Sequence, residues 1–513
     1  MTMHKAVSMT KSSLQRILIL SFIACLSSAL QTELDEEACS LLPYEHFLIY
    51  SKRVLTPKGL TAAIVEVDKG KIVSVKEQST PPTSSTELPV SDYGNAVIMP
   101  GLIDLHVHLN EPGREEWEGF VTGTKSAAAG GVTTVVDMPL NSFPTTISKE
   151  SLQLKLLAAN GKLAVDVGFW GGLVPENAEN TTALDELLSS GALGLKAFMC
   201  PSGINDFPMT TASQIKAALP VLAKYGRPLL VHAEVQQPLE DGHPQLEEFT
   251  GLSSEEKRHY STYLASRPES WEKQAVQELV NAAQITTAGS SAQGAHIHIV
   301  HLSDAGNSLD LIKKAKHDGA HLSVETCPHY LSFSAEEIPD GNTQYKCAPP
   351  IRHAENRASL WKALMEGHID FLSSDHSPAP PELKLLEEGD FINAWGGISS
   401  LQLVLPATWT FGKGHGITLE RVALWWSVNP AKLAKLSQKG SIEVGKDADL
   451  VIWDPETSFI VDENYSLFHK HKVTPYAGKT LSGQVISTFS RGNLVYHEGH
   501  HATKACGLSI LSA

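Results

Sequence analysis

Eight short apolar runs, each followed by a segment with helical content, fill the central part of this chain. They read VIMPGLIDLHVHL, TTVVDMPL, LAVDVGFWGGL, LGLKAFM, PLLVHAE, HIHIVHLS, LSVETCPHY and IDFLSSDH. Near-continuous apolar strands that alternate with helices indicate a parallel sheet buried on both faces, and therefore an α/β protein. Eight such units over about 330 residues predict a TIM-like (β/α)8 barrel with insertions. An open doubly wound sheet is the alternative, but no G-x-G-x-x-G opens the first unit.

Two flanking regions are typical of strands and bracket the barrel. Residues 47–75 and 440–456, continued by 483–499, show alternation, Gly-Lys turns and β-branched residues. We therefore expect them to pair as one smaller composite β-sandwich domain formed from both chain ends. The predicted boundaries are 45–99 and 436–500 for the two parts of the β-sandwich, 100–435 for the barrel and 501–513 for a C-terminal tail.

The N-terminal segment 1–32 is predicted to be a signal or anchor outside this fold. Lys5, Lys11 and Arg16 precede the apolar run ILILSFIACLSSAL, and a polar, acidic stretch follows it. A basic start, an apolar core and small residues near a cleavage point are typical of a secretory signal. The run is short for a membrane span. We expect entry into the secretory pathway and residence in the endoplasmic reticulum, with a membrane-anchored or secreted form as the alternatives.

Charge and cysteine content narrow the class of partner. The formal net charge of −16 argues against nucleic-acid binding, and no Lys/Arg stripe offsets it. A small-molecule substrate is therefore the expectation. The six cysteines are few for 513 residues and lack zinc-finger spacing, so the chain is not a disulfide scaffold.

A D-x-H-x-H motif at 104–108 closes the first apolar run. Its histidines, His106 and His108, are two residues apart on a strand and so point to the same face. Other polar residues lie near the ends of later runs, namely Lys196, His232, His301 and Asp375. The carboxyl ends of barrel strands meet at one mouth, where active sites are built. Imidazole and carboxylate ligands suit zinc and related divalent ions, so these six residues predict a two-metal hydrolase site.

Lys196 is the unusual member of this set. A protonated lysine repels a metal ion, and lysine is rarely buried without a partner. Addition of CO2 to the neutral amine would give a carbamate, an anion whose two oxygens can bridge two ions. The alternative is a structural lysine salt-bridged to an acid. With four other ligand-bearing strands around it, we favour the bridge.

Four other histidines accompany these runs. His296 and His298 have the opposite parity to His301, so we expect them to face the helices. His329, in TCPHY, lies near the mouth and either orients a ligand or substrate or is a structural histidine. His368 precedes its strand and is expected to lie apart from the site.

The predicted ligand set suggests a hydrolytic mechanism. Two bridged ions would hold a hydroxide and lower the pKa of its parent water toward neutrality. We expect Asp375 to bind one ion, to take the proton as hydroxide attacks a carbonyl, and to deliver it to the departing nitrogen. The ions would also stabilise the tetrahedral oxyanion. No serine nucleophile elbow or Cys-His protease signature competes with this interpretation.

With these residues in place, the chain resembles the amidohydrolase superfamily, in its branch of hydantoinases, dihydropyrimidinases, dihydroorotases and allantoinases. The resemblance spans about residues 45–500 and lies in D-x-H-x-H, LKAFM, VHAE, HLS and SSDHSP. It implies the barrel, the composite β-domain and two divalent ions, zinc first, with manganese, cobalt or iron as alternatives. It also implies N6-carboxylysine at Lys196 and a homo-oligomer, typically a tetramer.

Within this branch the chain is most similar to the eukaryotic allantoinases. The similar segments are HLNEPGREEWEGFVTGTKSAAAGGVTTVVDMPLNS, GLKAFMCPSGINDFP, KCAPPIR, SSDHSPAPPELK and WGGISSLQ. This similarity implies hydrolysis of the hydantoin-ring amide of allantoin to allantoate, a step of purine catabolism. The alternatives are a hydantoinase or dihydropyrimidinase acting on another cyclic ureide, a non-catalytic scaffold on the same fold, and a secreted binding module. The complete ligand set disfavours the last two.

Two departures from related patterns bear on the substrate. Dihydroorotases typically carry an arginine after H-x-H-x that grips a carboxylate, whereas this chain has Asn110. Dihydropyrimidinases typically place a tyrosine five residues after the bridging lysine, whereas this chain has Pro201, which leaves the oxyanion donor unassigned. The residues expected to contact substrate are Asn110, Cys347, Ala348, Gly396 and Gly397.

Overall fold

The computed structural model describes residues 38–82, 87–237, 249 and 251–512. The predicted signal or anchor segment 1–32 lies outside these residues. Within the described ranges, no helix has both the length and the apolar character needed to cross a membrane.

The strands, numbered in chain order, fall into three groups. The first group precedes the barrel: β1 His46–Thr56, β2 Gly59–Asp68, β3 Lys71–Glu77, β4 Val90–Asp92 and β5 Val97–Pro100. The second forms the barrel: β6 Leu102–Val107, β7 Val132–Asp137, β8 Asp166–Phe169, β9 Gly171–Gly172, β10 Leu195–Phe198, β11 Pro228–His232, β12 His296–Ile299, β13 Leu322–Thr326 and β14 Phe371–Leu372. The third follows it: β15 Leu450–Ile460, β16 Thr480–Ser490, β17 Asn493–His497, β18 His500–His501 and β19 Ser509–Ile510.

The α-helices lie mainly between the barrel strands. They are Phe120–Ala129, Lys149–Ala159, Pro175–Ala178, Thr181–Ser189, Ala212–Tyr225, Ser254–Arg258, Tyr260–Ser266, Glu269–Ala283, Asn307–His317, Pro328–Ser332, Ala354–Met365, Val404–Gly412, Leu419–Ala423 and Asn429–Leu433.

The helix Ala212–Tyr225 illustrates why these segments are helical. It begins at Thr211, whose side chain accepts a hydrogen bond from the Gln214 backbone in a capping box, and ends at Gly226 in the left-handed conformation. Its apolar residues recur at helical spacing and are buried against the barrel.

The barrel prediction is confirmed. Parallel pairing runs from β6 through β7 to β8, and again from β9 through β10, β11, β12 and β13 to β14. β8 leads into β9 through a single residue, Trp170, and a parallel bridge between Val107 and His376 joins the two edges. Strands such as β6 and β7 are buried at every position, as expected for a sheet covered on both faces. The strands therefore close into a barrel whose carboxyl ends share one mouth.

A second sheet forms the separate β-domain. Its nine strands combine β1–β5 from the N-terminal side with β15–β18 from the C-terminal side, joined where β5 pairs with β15. The last strand, β19, pairs instead with β8 of the barrel. A disulfide between Cys39 and Cys506 links the two ends of the described chain. Cys200, Cys327 and Cys347 are free and buried, so this single bridge does not make the fold a disulfide scaffold.

Candidate active site

The predicted ligand residues come together at the barrel mouth. His106 and His108 lie at the end of β6, Lys196 lies in β10, and His232 ends β11. A cavity of about 390 Å³ opens here, lined by His106, His108, His232, His301 and Asp375. Lys196 is fully buried beneath it.

The side chains are close enough to share ions. Asp375 Oδ1 lies 3.2 Å from His106 Nε2 and 3.5 Å from His108 Nε2. The ring centroids of His232 and His301 are 4.6 Å apart, and those of His106 and His301 are 5.2 Å apart. Burial raises the pKa of Asp375, but the neighbouring histidines outweigh burial and lower it to about 2. Asp375 is therefore a carboxylate at neutral pH.

In the part of the chain that the structure describes, Lys196 has no salt-bridge partner of the kind that a structural lysine requires. Its Nζ is buried with no hydrogen-bond partner among the described residues, and lies 5.0 Å from the centroid of the Phe198 ring. Burial lowers the pKa of this amine to about 7. A substantial fraction is therefore neutral near pH 7, which is the form that can add CO2.

Three of the histidines each have a side-chain partner on one ring nitrogen. His106 Nδ1 lies 2.9 Å from Glu325 Oε1, and His232 Nε2 lies 2.6 Å from Glu234 Oε2. His108 Nδ1 lies 3.2 Å from Asn141 Nδ2. With one nitrogen engaged, the other is left for a metal, an arrangement common around protein metal sites.

These partners were missed from the sequence. Glu234 had a usable signal, because it is a carboxylate only two residues after His232 in the sequence. Glu325 had none, because it reaches His106 from β13 on a different part of the barrel wall.

Glu234 is itself held by Arg267, whose Nε lies 3.1 Å from Glu234 Oε1. Burial raises the pKa of Glu234, but Arg267 and His232 outweigh it and keep the pKa well below its usual range. The ligand atoms of Cys200, His232 and Glu234 lie within 4.8 Å of one another and form a possible alternative metal group. That group is disfavoured because Glu234 already pairs with Arg267 and burial raises the pKa of Cys200 to about 12.

The expectation that His296 and His298 face the helices is wrong. His298 Nε2 lies 3.1 Å from Glu325 Oε2, and both His296 and His298 contact Ser323 Oγ. Since Glu325 also contacts His106, His298 lies inside the barrel. The parity argument failed because β12 ends at Ile299, and His301 lies beyond it with a positive φ of 38°.

His329 and His368 differ in their distance from the site. His329 is buried, with neither ring nitrogen hydrogen-bonded among the described residues. Burial lowers the pKa of His329 to about 4, and the charge of nearby Asp375 opposes that shift. His368 instead lies before β14 and contacts Glu366.

The predicted substrate residues divide into two groups. Ala348, Gly396 and Gly397 line the cavity, and so does Pro201. Asn110 and Cys347 are buried and are not among the described residues that line it. A Cβ at Gly397 would lie 2.0 Å from the Ser377 carbonyl oxygen, so only glycine allows this close approach.

The donor set fits two divalent ions. His106, His108 and Asp375 place ligand atoms within 4.8 Å of one another. His301 Nδ1 and Lys196 Nζ are buried without hydrogen-bond partners in the described part of the chain. Buried polar atoms are nearly always satisfied, so these unpaired atoms beside the His106, His108 and Asp375 cluster fit a site that takes a bound cation.

Two protein-family profiles match this chain, and together they cover the barrel and most of the β-domain. The profile of the Amidohydrolase family matches residues 97–495, and that of the Allantoinase composite domain matches residues 42–96. An allantoinase of Arabidopsis thaliana is 60% identical over 91% of this chain and 92% of its own length. An allantoinase of Streptomyces avermitilis is 43% identical over 88% of this chain and 96% of its own length.

Solved structures of similar fold include a hydantoinase and a dihydropyrimidinase. L-Hydantoinase (dihydropyrimidinase) from Arthrobacter aurescens gives a TM-score of 0.80 at 28% identity, covering 91% of this chain and 100% of that one. A dihydropyrimidinase from Brevibacillus agri gives 0.76 at 28% identity, covering 91% of this chain and 98% of that one.

Proposed function

The chain belongs to the amidohydrolase family and, within it, to the allantoinases, and we propose that it hydrolyses the hydantoin-ring amide of allantoin to give allantoate. The observation that carries this proposal is the 60% identity to a curated allantoinase over nine-tenths of both chains. The matching profile of an allantoinase composite domain at residues 42–96 supports the same substrate. The hydantoinase and dihydropyrimidinase structures share the fold at 28% identity, which makes another cyclic ureide the second candidate.

We propose that the mouth holds two divalent ions, with zinc as the first candidate. His106, His108 and Asp375 would hold one ion, His232 and His301 the other, and a carbamate on Lys196 would lie between them. To form it, the neutral amine adds to CO2, an N–C bond forms and one proton is released. Bound divalent ions would supply polarisation of the scissile carbonyl and a more acidic water.

Asp375 is the residue that moves the proton in this proposal. As a carboxylate beside His106 and His108, it accepts a proton from the attacking water. It then gives the proton to the ring nitrogen as the C–N bond breaks. Asp375→Asn is expected to lower kcat about a hundredfold or more while changing KM less. An unchanged kcat in this variant would remove Asp375 from the chemical step.

The proposed substrate is tested by measuring the hydrolysis of several cyclic compounds in the same assay. The purified protein is supplemented with zinc, manganese, cobalt or iron and assayed with allantoin, hydantoin, dihydrouracil and dihydroorotate. We expect allantoin to have the highest kcat/KM with whichever metal supports activity. A higher kcat/KM for another compound would contradict allantoin as the substrate and identify that compound in its place. No turnover of any of the four compounds would favour a non-catalytic scaffold.

We further propose that segment 1–32 directs the chain to the endoplasmic reticulum. The Cys39–Cys506 disulfide supports this, because such bonds persist in oxidising compartments. We expect a fusion of residues 1–37 to a fluorescent protein to enter the secretory pathway, and a diffuse cytosolic signal would contradict it. The family resemblance supports a homotetramer, which light scattering of the purified protein tests.

A further inference from the structure

Two loop segments, 346–348 and 392–397, form one wall of the cavity. Lys346, Ala348, Ile392 and Gly397 are among its lining residues. The two segments are hydrogen-bonded to each other, since Gly397 N donates to Lys346 O at 2.8 Å. Ala348, Gly396 and Gly397 carry no side-chain polar groups, so at these positions the wall offers a substrate ring main-chain hydrogen bonds.

Lys384 fastens both segments from behind. Its side chain is buried, and its Nζ donates to the carbonyl oxygens of Gly397 at 2.8 Å, Trp395 at 3.0 Å and Lys346 at 3.3 Å. An ammonium group has three donors, and all three are used here. No donor is left for an anion, so Lys384 has a structural purpose and is not part of an anion site.

Lys346 makes a second set of contacts with the same wall. Its Nζ donates to the carbonyl oxygens of Ile392 at 2.9 Å and Ala394 at 2.5 Å, and lies 4.9 Å from the centroid of the Tyr263 ring. Tyr263 in turn donates its hydroxyl to Cys347 O at 2.7 Å. The two lysines therefore engage five carbonyl oxygens, all within the two loop segments.

Both ammonium groups are buried without a matching carboxylate. Their hydrogen-bond partners in the described part of the chain are carbonyl oxygens only. Burial lowers the pKa of each lysine to about 7. Burying two amines with carbonyl oxygens as their hydrogen-bond partners is unfavourable for stability, which indicates that their contacts serve the position of the wall.

We propose that Lys346 and Lys384 are positioning residues that fix the ring-binding wall, and thereby determine which cyclic amides are held in reach of Asp375. This inference rests on the proposed hydrolysis of a cyclic amide at the same mouth. The lysines touch neither the reacting atoms nor the ligand set. Their effect is therefore expected in substrate binding and ring preference.

The test compares kinetics of Lys384→Met and Lys346→Met with the parent enzyme. Methionine keeps an unbranched apolar chain and removes the donors. We expect KM for allantoin to rise about tenfold or more in each variant, with kcat within about threefold and metal content unchanged. The preference for allantoin over dihydrouracil, measured as the ratio of kcat/KM values, should fall. If Lys384→Met does not fold, Lys346→Met, which lies at the cavity edge, carries the test.

Lys316→Met is the matched control. Lys316 Nζ also donates to a main-chain oxygen, His368 O at 3.1 Å, and it pairs in addition with Asp370 Oδ2 at 2.6 Å, but it lies outside the described lining of the cavity. We expect this variant to keep the parent KM. An equal KM rise in the control would mean that the assay reports general destabilisation.

Hydrogen exchange supplies a readout that needs no substrate. We expect amides in segments 343–350 and 390–398 to exchange faster in Lys384→Met and Lys346→Met, while the rest of the barrel is unchanged. Unchanged exchange together with unchanged KM would overturn the inference, and so would a loss of kcat at constant KM. If the parent enzyme hydrolyses another cyclic amide and not allantoin, the substrate proposal is wrong. The KM of the parent and of the two lysine variants for that other compound then decides whether the lysines position the wall.

Discussion

The two ends of the barrel each bury a lysine, but in different surroundings. At the carboxyl end of the strands, Lys196 Nζ has no hydrogen-bond partner among the described residues. At the amino end, the buried ammonium group of Lys439 contacts carboxylates. Lys439 Nζ lies 2.6 Å from Asp449 Oδ2 and 2.9 Å from Asp166 Oδ2. Arg491 also pairs with Asp166, the first residue of β8.

The contrast separates two uses of buried polar groups. The paired cluster at the amino end joins the β-domain to the barrel, because Asp166 belongs to the barrel and Arg491 to the turn after β16. The mouth instead leaves donors and acceptors for groups that the chain itself does not supply. We therefore expect changes at the mouth to affect activity and changes at the amino end to affect stability.

Lys196→Ala is expected to give the largest effect. Without the amine no carbamate can form, so we expect loss of bound metal and a fall in turnover of about a thousandfold or more. Compared with the metal-free parent protein, the variant should show no fall in thermal midpoint, because Lys196 Nζ has no hydrogen bond in the described structure to lose. Metal analysis, turnover and thermal unfolding of the same preparation measure all three.

Rescue gives the control for this variant. Short carboxylic acids can fill the space of the missing carbamate, so they should restore part of the metal content and activity of Lys196→Ala. Full activity without bound metal would contradict the two-metal proposal.

Lys439→Met is expected to show the converse behaviour. Removing one partner of a buried ion pair leaves uncompensated charge, so we expect a loss of about 3–5 kcal/mol in the free energy of unfolding. The folded fraction should keep the parent kcat and KM. Urea denaturation and kinetics below the unfolding transition measure the two quantities.

Charge compensation tests the cause of that loss. Adding Asp449→Asn to Lys439→Met removes part of the uncompensated charge and should recover part of the stability. A lower kcat in fully folded Lys439→Met would show that a change at the amino end affects catalysis at the mouth. It would contradict the assignment of stability to one end and activity to the other.

The sequence predicted the fold and the placement of the mouth residues better than the support around them. Strand ends bearing His106, Lys196 and Asp375 follow from apolar runs, because carboxyl ends of parallel strands must meet. The position of His298 could not be derived, since the strand ends before His301 and parity does not extend across that break. Glu325 could not be paired with His106, because such contacts depend on barrel closure and not on spacing.

The cluster at the amino end was not predictable for a related reason. Asp166, Lys439 and Arg491 are distant in sequence and meet only when the β-domain docks on the barrel. Charged residues in loops are common, and no periodicity marks those that become buried. Local patterns therefore predict elements and their ends, whereas contacts between domains need the three-dimensional arrangement.

Glu325→Gln is expected to give an intermediate effect at the mouth. Glutamine keeps the shape but weakens the contact that orients His106, so we expect metal affinity to fall about tenfold to a hundredfold. Competition with a chelator measures this affinity. Glu272→Gln is the matched control, because Glu272 is a buried carboxylate that pairs with Arg352 and touches no predicted ligand. It should lower stability and leave metal affinity unchanged.

The smallest expected effect is the pH dependence of stability in the metal-free protein. Burial lowers the pKa of His232 and His329 from 6.5 to about 4. Each binds a proton more weakly in the folded state than in the unfolded state, so the free energy of unfolding decreases as pH falls from 6.5 to 4. The slope contributed by one histidine is at most about 1.4 kcal/mol per pH unit.

The cluster at the amino end loses its stabilising charge in a different pH range. Burial lowers the pKa of Lys439, but Asp449 and Asp166 outweigh burial and raise the pKa above its usual value of 10.5. Its stabilising contribution is therefore complete below pH 10.5 and is lost only as the pH rises through the higher folded value. Lys439 therefore does not titrate between pH 6.5 and 4, and that window reports buried histidines, which include His232 and His329 at the mouth and His501 in β18.

His329→Gln isolates one histidine within that window. His329 lies outside the predicted ligand set. In the metal-free protein, the variant should therefore reduce the slope of unfolding free energy against pH by about the contribution of one histidine. It should remain folded at pH 7. His317→Gln is the control, because the His317 side chain is 89% exposed and should leave the slope unchanged. Urea denaturation at several pH values measures both variants. An equal slope in the parent protein and in His329→Gln would show that protonation of His329 does not contribute to the pH dependence of stability. It would then contradict the prediction that the mouth and the amino end lose stability in different pH ranges.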